Sequence, residues 1–154
     1  MRQTLWIALF ALLFGLTPGG ANAQSAETDA IKAANAAFYA ALSSRDISAV
    51  ERIWVRDGQV FNIFGASKVP MVGWGAIKAG YEGLFERFVE LSVTFPEPLV
   101  RQDGEIAIVV GVETLRAKLA NGESANLALP TTNVFVKHDG KWLMVHHHSS
   151  RPPP

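Results

Sequence analysis

Apolar side chains at Ile31, Ala34, Phe38, Ala41 and Leu42 recur at the spacing of one buried stripe on an amphipathic helix. Gln24 to Thr28 is a polar lead-in, and Asp29 is placed where a carboxylate suits the positive end of the helix dipole. Ser43, Ser44 and Arg45 break this helix. Asp46 is then placed to cap a second, shorter one whose apolar face is Ile47, Val50, Ile53 and Trp54. Asp57 and Gly58 end it, and Val60 to Phe64 reads as a strand. Residues 70–75 read as a loop carrying Trp74. Ile77, Tyr81, Leu84, Phe85 and Phe88 then follow a 3.6-residue period, which predicts a third helix ending near Val89.

Beyond this point the period changes to two. Leu91, Val93 and Phe95 alternate before Pro96, and residues 106–119 form a long run rich in β-branched side chains. Asn121-Gly122 is a strong hairpin signal. The return strand reaches Val136, with Pro130 marking a bulge or an edge segment. Asp139-Gly140 turns the chain into a final strand. Two helices, a strand, a helix and then a meander specify an α+β fold: a cone-shaped, curved antiparallel sheet with three helices on its concave face. A cone of this size holds a cavity.

The first 23 residues have a basic start at Arg2, an apolar run from Leu5 to Phe14 and small residues at Ala21 and Ala23. This is the pattern of a signal peptide cleaved after Ala23, and its apolar run is short for a membrane span. The expected organisation is a leader over residues 1–23 and one domain over residues 24–154 with a short proline tail, periplasmic or secreted. No membrane insertion is expected after cleavage. The whole chain carries 14 basic and 14 acidic residues; removing Arg2 with the leader leaves 13 against 14, a formal charge of −1. No nucleic-acid partner is suggested. There is no cysteine, so disulfides, thiol nucleophiles and thiolate metal sites are ruled out.

The order of elements, Ser44-Arg45-Asp46 between the first helices, Met71-Val72-Gly73 before the third, and Asp139-Gly140-Lys141-Trp142 running into Val145-His146-His147-His148-Ser149 resemble the nuclear transport factor two superfamily. Within it the chain is similar to the SnoaL-like group and to the association (hub) domain of calcium/calmodulin-dependent protein kinase. The resemblance implies a cone-shaped pocket and a homodimer. It also implies a choice among enzyme, ligand binder and assembly module, because this fold hosts all three. The carboxylate base of the ketosteroid isomerase branch falls on Asn62 and its tyrosine on Phe38, one residue from Tyr39, so that mechanism is disfavoured. The arginines that hold carboxylate ligands in the hub branch fall on Glu113, Asn133 and Ser149, which makes the pocket better suited to a neutral or cationic polar ligand than to an acid.

Candidate chemistry centres on the last strand. By simple alternation His146 and His148 share a face with Trp142 and Met144, while His147 shares the other with Leu143, Val145 and Ser149. A three-residue loop at Asp139-Gly140 would set Asn133 opposite Val145; a two-residue turn would swap these neighbours. The histidines have three readings, as structural packing, as the lining of a pocket for binding or acid/base work, and as metal chelators; no third metal ligand stands out and no cofactor motif is present. Glu113 interrupts an apolar strand and is assigned to the cavity. The expected ligand-binding set is His147, Glu113, Asn133, Asn62 and Ser149, for a small polar or partly apolar molecule. A histidine general base oriented by Glu113 is the enzymatic alternative, with the imidazole pKa raised by an ion pair; a ligand-free dimerisation module is the other.

Overall fold

The computed structural model describes residues 19–151 except 66 and 68, with side chains from Ala23 onward. Most of the expected leader, residues 1–18, and the tail, residues 152–154, lie outside the described residues. Ten elements follow one another: α1 (Gly19–Ser44), α2 (Ile47–Ile53), β1 (Phe61–Ile63), β2 (Met71–Val72), α3 (Trp74–Arg87), β3 (Phe88–Thr94), β4 (Leu99–Asp103), β5 (Ile106–Leu119), β6 (Ser124–His138) and β7 (Lys141–Ser149).

Helix α1 starts earlier than its apolar stripe requires, and the polar lead-in belongs to it. Tertiary contact accounts for this: Glu27 accepts hydrogen bonds from Lys137 Nζ at 2.7 Å and Trp142 Nε1 at 3.1 Å, which ties the first turns to the sheet. At the other end Arg45 takes a left-handed conformation (φ 54°). Its guanidinium donates to the carbonyl of Phe88 at 2.6 Å. Asp46 then caps α2 by accepting from the Ala49 amide at 3.0 Å. The expected break and cap are therefore both present.

The sheet runs β2-β1-β7-β6-β5-β3, with β4 also on β5. Strands β3 and β4 occupy the two halves of the same β5 edge, separated by residues 95–98, where Glu97 is left-handed (φ 52°) and Pro96 and Pro98 interrupt pairing. The sheet is mixed rather than wholly antiparallel, because β1 pairs β7 in parallel. The connection from β1 to β7 runs through β2, α3 and the rest of the meander before the chain returns beside β1. The short strand β2 occupies part of the expected loop by pairing with β1. Pro130 sits just past the last β6–β7 pair, Thr131 with Ser149, where one edge of β6 has no strand beside it.

Two local devices set the register of the last hairpin. Asp139 (φ 49°) and Gly140 (φ 75°) are both left-handed and close a two-residue turn in which His138 pairs Lys141. The pairing then slips between Phe135–Met144 and Val134–His146, so Val145 is the extra residue of a β-bulge. An extra residue reverses the alternation beyond it. The inward side chains of β7 are consequently Trp142, Met144, His147 and Ser149, all buried. This corrects the face expected from simple alternation, since His147 shares the inner face with Trp142 and Met144; of the two turns left open the two-residue one forms, and with the bulge it sets Asn133 across the ladder from His147.

The core gathers under the inner face. Phe38 is fully buried and meets the rings of Tyr39, Trp54, Tyr81 and His147 at centroid distances of 5.1, 6.4, 6.1 and 5.3 Å. Opposite it, Phe95 stacks on Tyr39 at 5.0 Å. That ring has room because residue 111 is glycine: a Cβ there would lie 2.8 Å from it. The outer face of β5 differs. Ile106, Ile108, Val110 and Val112 are exposed.

Candidate functional site

Each of the five residues expected to bind ligand is buried, and they converge on the inner face of the sheet: Asn62 from β1, Glu113 from β5, Asn133 from β6, and His147 and Ser149 from β7. Register explains the convergence. His147 is flanked by Asn133 on one side and Asn62 on the other, while Glu113 lies opposite Leu129, two pairs along from Thr131. Helix α1 adds Asn35 and Tyr39, and α3 adds Tyr81, all buried. Asn35 and Thr131 escape sequence reasoning, and Tyr39 is discounted by it. The available signal was Asn35, a polar residue set within the apolar stripe four positions before Tyr39.

The hydrogen bonds fix the protonation pattern. Asn133 Nδ2 donates to Asn35 Oδ1 at 2.7 Å and to the Tyr39 hydroxyl at 3.1 Å. The tyrosine in turn donates to Glu113 Oε2 at 3.2 Å. With its amide hydrogens used, Asn133 presents Oδ1 to His147 Nδ1 at 2.7 Å, so Nδ1 carries the proton. The lone pair of Nε2 then faces Glu113 Oε2 across 3.9 Å, beyond hydrogen-bond reach.

Burial dominates the electrostatics. Loss of water pushes the Glu113 carboxyl up to about 7, although hydrogen bonds from Tyr39, Ser149 and Thr131 act in the opposite sense. His147 is pushed down to about 3, first by burial and then by the neighbouring His146 and His148. The expected ion pair, with a raised histidine pKa, is therefore not what forms: desolvation penalises both charges, and at 3.9 Å no hydrogen bond compensates. Near neutral pH the imidazole is neutral and Glu113 is divided between acid and carboxylate. The roles also change, since Asn133 orients His147 and Glu113 is the titrating group.

These groups close the polar end of a cavity of about 220 Å³ whose other walls include Leu42, Phe64, Leu84, Phe88, Leu115 and Leu127. Tyr81 lines it too, and its buried hydroxyl interacts with the buried amide of Asn62. A larger groove of about 1010 Å³ between α2 and the outer side of β6 and β7 is open and collects surface groups such as Arg52, Asp57 and Lys141. It has none of the buried titratable groups. His146 and His148 lie half-buried on the outer face with ring centroids 6.2 Å apart. Among the described residues no group of three or more His, Asp or Glu side chains is placed to hold a metal ion.

A family model described as a SnoaL-like domain matches residues 31–154. Among curated proteins, the F-box protein SKIP8 of Arabidopsis thaliana is 30% identical over 151 residues, covering 94% of this chain; the chain spans 62% of the length of that relative. Among solved structures, a protein from Thiobacillus denitrificans provisionally assigned as a calcium/calmodulin-dependent protein kinase type II association domain is 32% identical. That match covers 79% of this chain and 94% of the other, with a TM-score of 0.63. A provisionally assigned dehydratase of the NTF2-like family from Streptomyces avermitilis superposes with a TM-score of 0.78 over 84% of this chain and 99% of its own, at 18% identity. The latter likeness is one of fold.

Proposed function

From the premise that the chain belongs to the SnoaL-like domain family of the nuclear transport factor 2 superfamily, we propose that its cone binds a small, largely apolar molecule by one hydroxyl or carbonyl group. The observation that carries this reading is the meeting of buried polar groups at one end of an apolar cavity, Tyr81, Glu113, Ser149 and His147, whose Nε2 lone pair lies 3.9 Å from Glu113 and has no hydrogen-bond donor. Buried polar groups are nearly always paired, so unpaired ones beside a cavity call for a partner. A hydroxylated aromatic such as 2-naphthol supplies both the apolar body and the polar atom. In a fluorescence titration it should bind once per chain, and Leu127→Trp, which fills the cavity from a half-buried wall position, should reduce its affinity at least tenfold. Unchanged binding in the folded variant would refute the pocket reading.

A second reading, proton-transfer catalysis in the same cavity, is favoured by Glu113. A carboxyl group with a pKa of about 7 can give or take a proton at neutral pH, whereas His147 at about 3 is too weak a base. Reactions that need one acid/base group beside a hydrogen-bonded carbonyl or hydroxyl, dehydration among them, fit this arrangement. Turnover would depend on pH around 7 and lose that dependence in Glu113→Gln.

The reading includes export and self-association. A leader ending at Ala23 would trim the first turn of α1, and the exposed stripe of Ile106, Ile108, Val110 and Val112 is suited to sheet-to-sheet pairing of two copies. Intact mass of exported protein beginning at Gln24, and light scattering giving twice the chain mass, are the expected results. A retained Met1 would refute the first, and a monomer at micromolar concentration the second.

A further inference from the structure

The buried side chains around His147 form a hydrogen-bonded relay whose two ends face each other. Glu113 and His147 line the cavity, and Tyr39 and Asn133, both buried, connect them from behind. The hydrogens along the relay run in one direction. His147 Nδ1 donates to Asn133 Oδ1 at 2.7 Å, Asn133 Nδ2 donates to the Tyr39 hydroxyl at 3.1 Å, and Tyr39 donates to Glu113 Oε2 at 3.2 Å. Asn35 opposes reversal, because its Oδ1 accepts from the same Asn133 Nδ2 at 2.7 Å and a turned Asn133 amide would set oxygen against oxygen. Across the remaining gap, Glu113 Oε2 and His147 Nε2 stand 3.9 Å apart, and the relay has no hydrogen left to place between them. Oε2 already accepts from Tyr39, which leaves the Nε2 lone pair without a donor. Glu113 can supply one only while protonated, so above its titration at about 7 the hydrogen has to come from outside.

We infer that the cavity selects a ligand carrying a hydroxyl hydrogen, an alcohol or a phenol, over the corresponding ketone or aldehyde, and that Asn35 and Asn133 are the positioning residues that set this preference. They do so by holding the proton of His147 on Nδ1, which keeps Nε2 an acceptor. The inference rests on the small-molecule reading above and narrows its hydroxyl or carbonyl group to the one that donates. A hydroxyl gives its hydrogen to Nε2 and satisfies the end of the relay. A carbonyl has none to give, and its lone pairs would meet those of the imidazole and the carboxylate. A site built to accept a ligand hydroxyl discriminates against an analogue without one, because the buried acceptor is then left unpaired.

The matched probes are 2-tetralol and 2-tetralone, which share a carbon skeleton and differ only in the oxidation state of one carbon–oxygen group. In competition with 2-naphthol, followed by fluorescence on the whole protein at pH 8, the alcohol should bind at least tenfold more tightly than the ketone. Nitrogen-15 NMR of the ligand-free protein should show the His147 proton on Nδ1 and a bare Nε2. Asn133→Leu keeps the volume and removes the acceptor for Nδ1–H, so it should release the proton to Nε2 and cut the alcohol preference to threefold or less. Tyr39→Phe leaves Asn35, Asn133 and His147 bonded to one another and should retain both the tautomer and the preference. Equal affinity of the two probes for the unmodified protein, or a proton found on its Nε2, would overturn the inference while leaving the pocket reading intact; these two measurements decide alone if Asn133→Leu fails to fold. A preference that survives in folded Asn133→Leu would overturn the positioning role. Failure of 2-naphthol itself to bind would overturn both readings.

Discussion

Glu113→Gln should stabilise the protein by about 3 kcal/mol at pH 8 and by almost nothing at pH 4.5. The direction follows from the raised folded-state pKa. Between the ordinary value of 4.5 and about 7, the folded chain keeps a proton that the unfolded chain has released, so stability falls as pH rises through this window. Above 7 the penalty of a buried carboxylate is complete, and at about 1.4 kcal/mol for each factor of ten in acidity it amounts to about 3 kcal/mol. Glutamine has the same shape, accepts the Tyr39 hydrogen bond and never ionises. Below pH 4.5 the two proteins carry the same charge at this position. His147 acts with the opposite sign, since its lowered pKa makes stability fall as pH drops below 6.5, but it is present in both proteins and cancels in their difference. Urea unfolding across pH 4.5–8 measures the gap. A constant difference would show that Glu113 ionises normally.

The same pair marks the boundary of what could be read from sequence. The helical stripes, the Asp46 cap, the Asn121-Gly122 hairpin and the assignment of Glu113 to the interior all follow from local periodicity and turn chemistry, because each depends on a few neighbouring residues. The bulge at Val145 does not. It inserts one residue between the Phe135–Met144 and Val134–His146 pairs, and it decides which imidazole enters the core. The residues that converge on the inner face were nevertheless named together, because the family resemblance placed Asn133 and Ser149 at pocket positions independently of the alternation argument. The ordering of the pKa values was inverted for a different reason. Sequence shows that a carboxylate and an imidazole share a cavity, but only coordinates show 3.9 Å between them and the loss of water around both. Similarly, the parallel pairing of β1 with β7 depends on where a crossover lands, which no local pattern records.

Phe38→Ala should cost about 3–5 kcal/mol, the usual range for removing a buried aromatic ring. That is a large part of the 5–15 kcal/mol that holds a typical domain folded. Phe38 is fully buried, and its ring edge meets Tyr39, Trp54 and Tyr81. Such edge-to-face contacts add to the loss of apolar burial. The structure further expects an electrostatic consequence at a distance from the deletion. The ring also covers His147, at a centroid distance of 5.3 Å, and it is burial that pushes the imidazole down to about 3. Opening a void there admits water beside Nδ1 and Nε2, so the His147 pKa should rise toward its ordinary value of 6.5. Phe38→Leu keeps most of the volume and should leave the imidazole depressed. Denaturant unfolding reports the stability change, and an NMR titration of the His147 ring reports the pKa in both folded variants. An imidazole that stays depressed in a folded Phe38→Ala protein would show that its neighbours, His146 and His148, rather than burial under Phe38, control its charge.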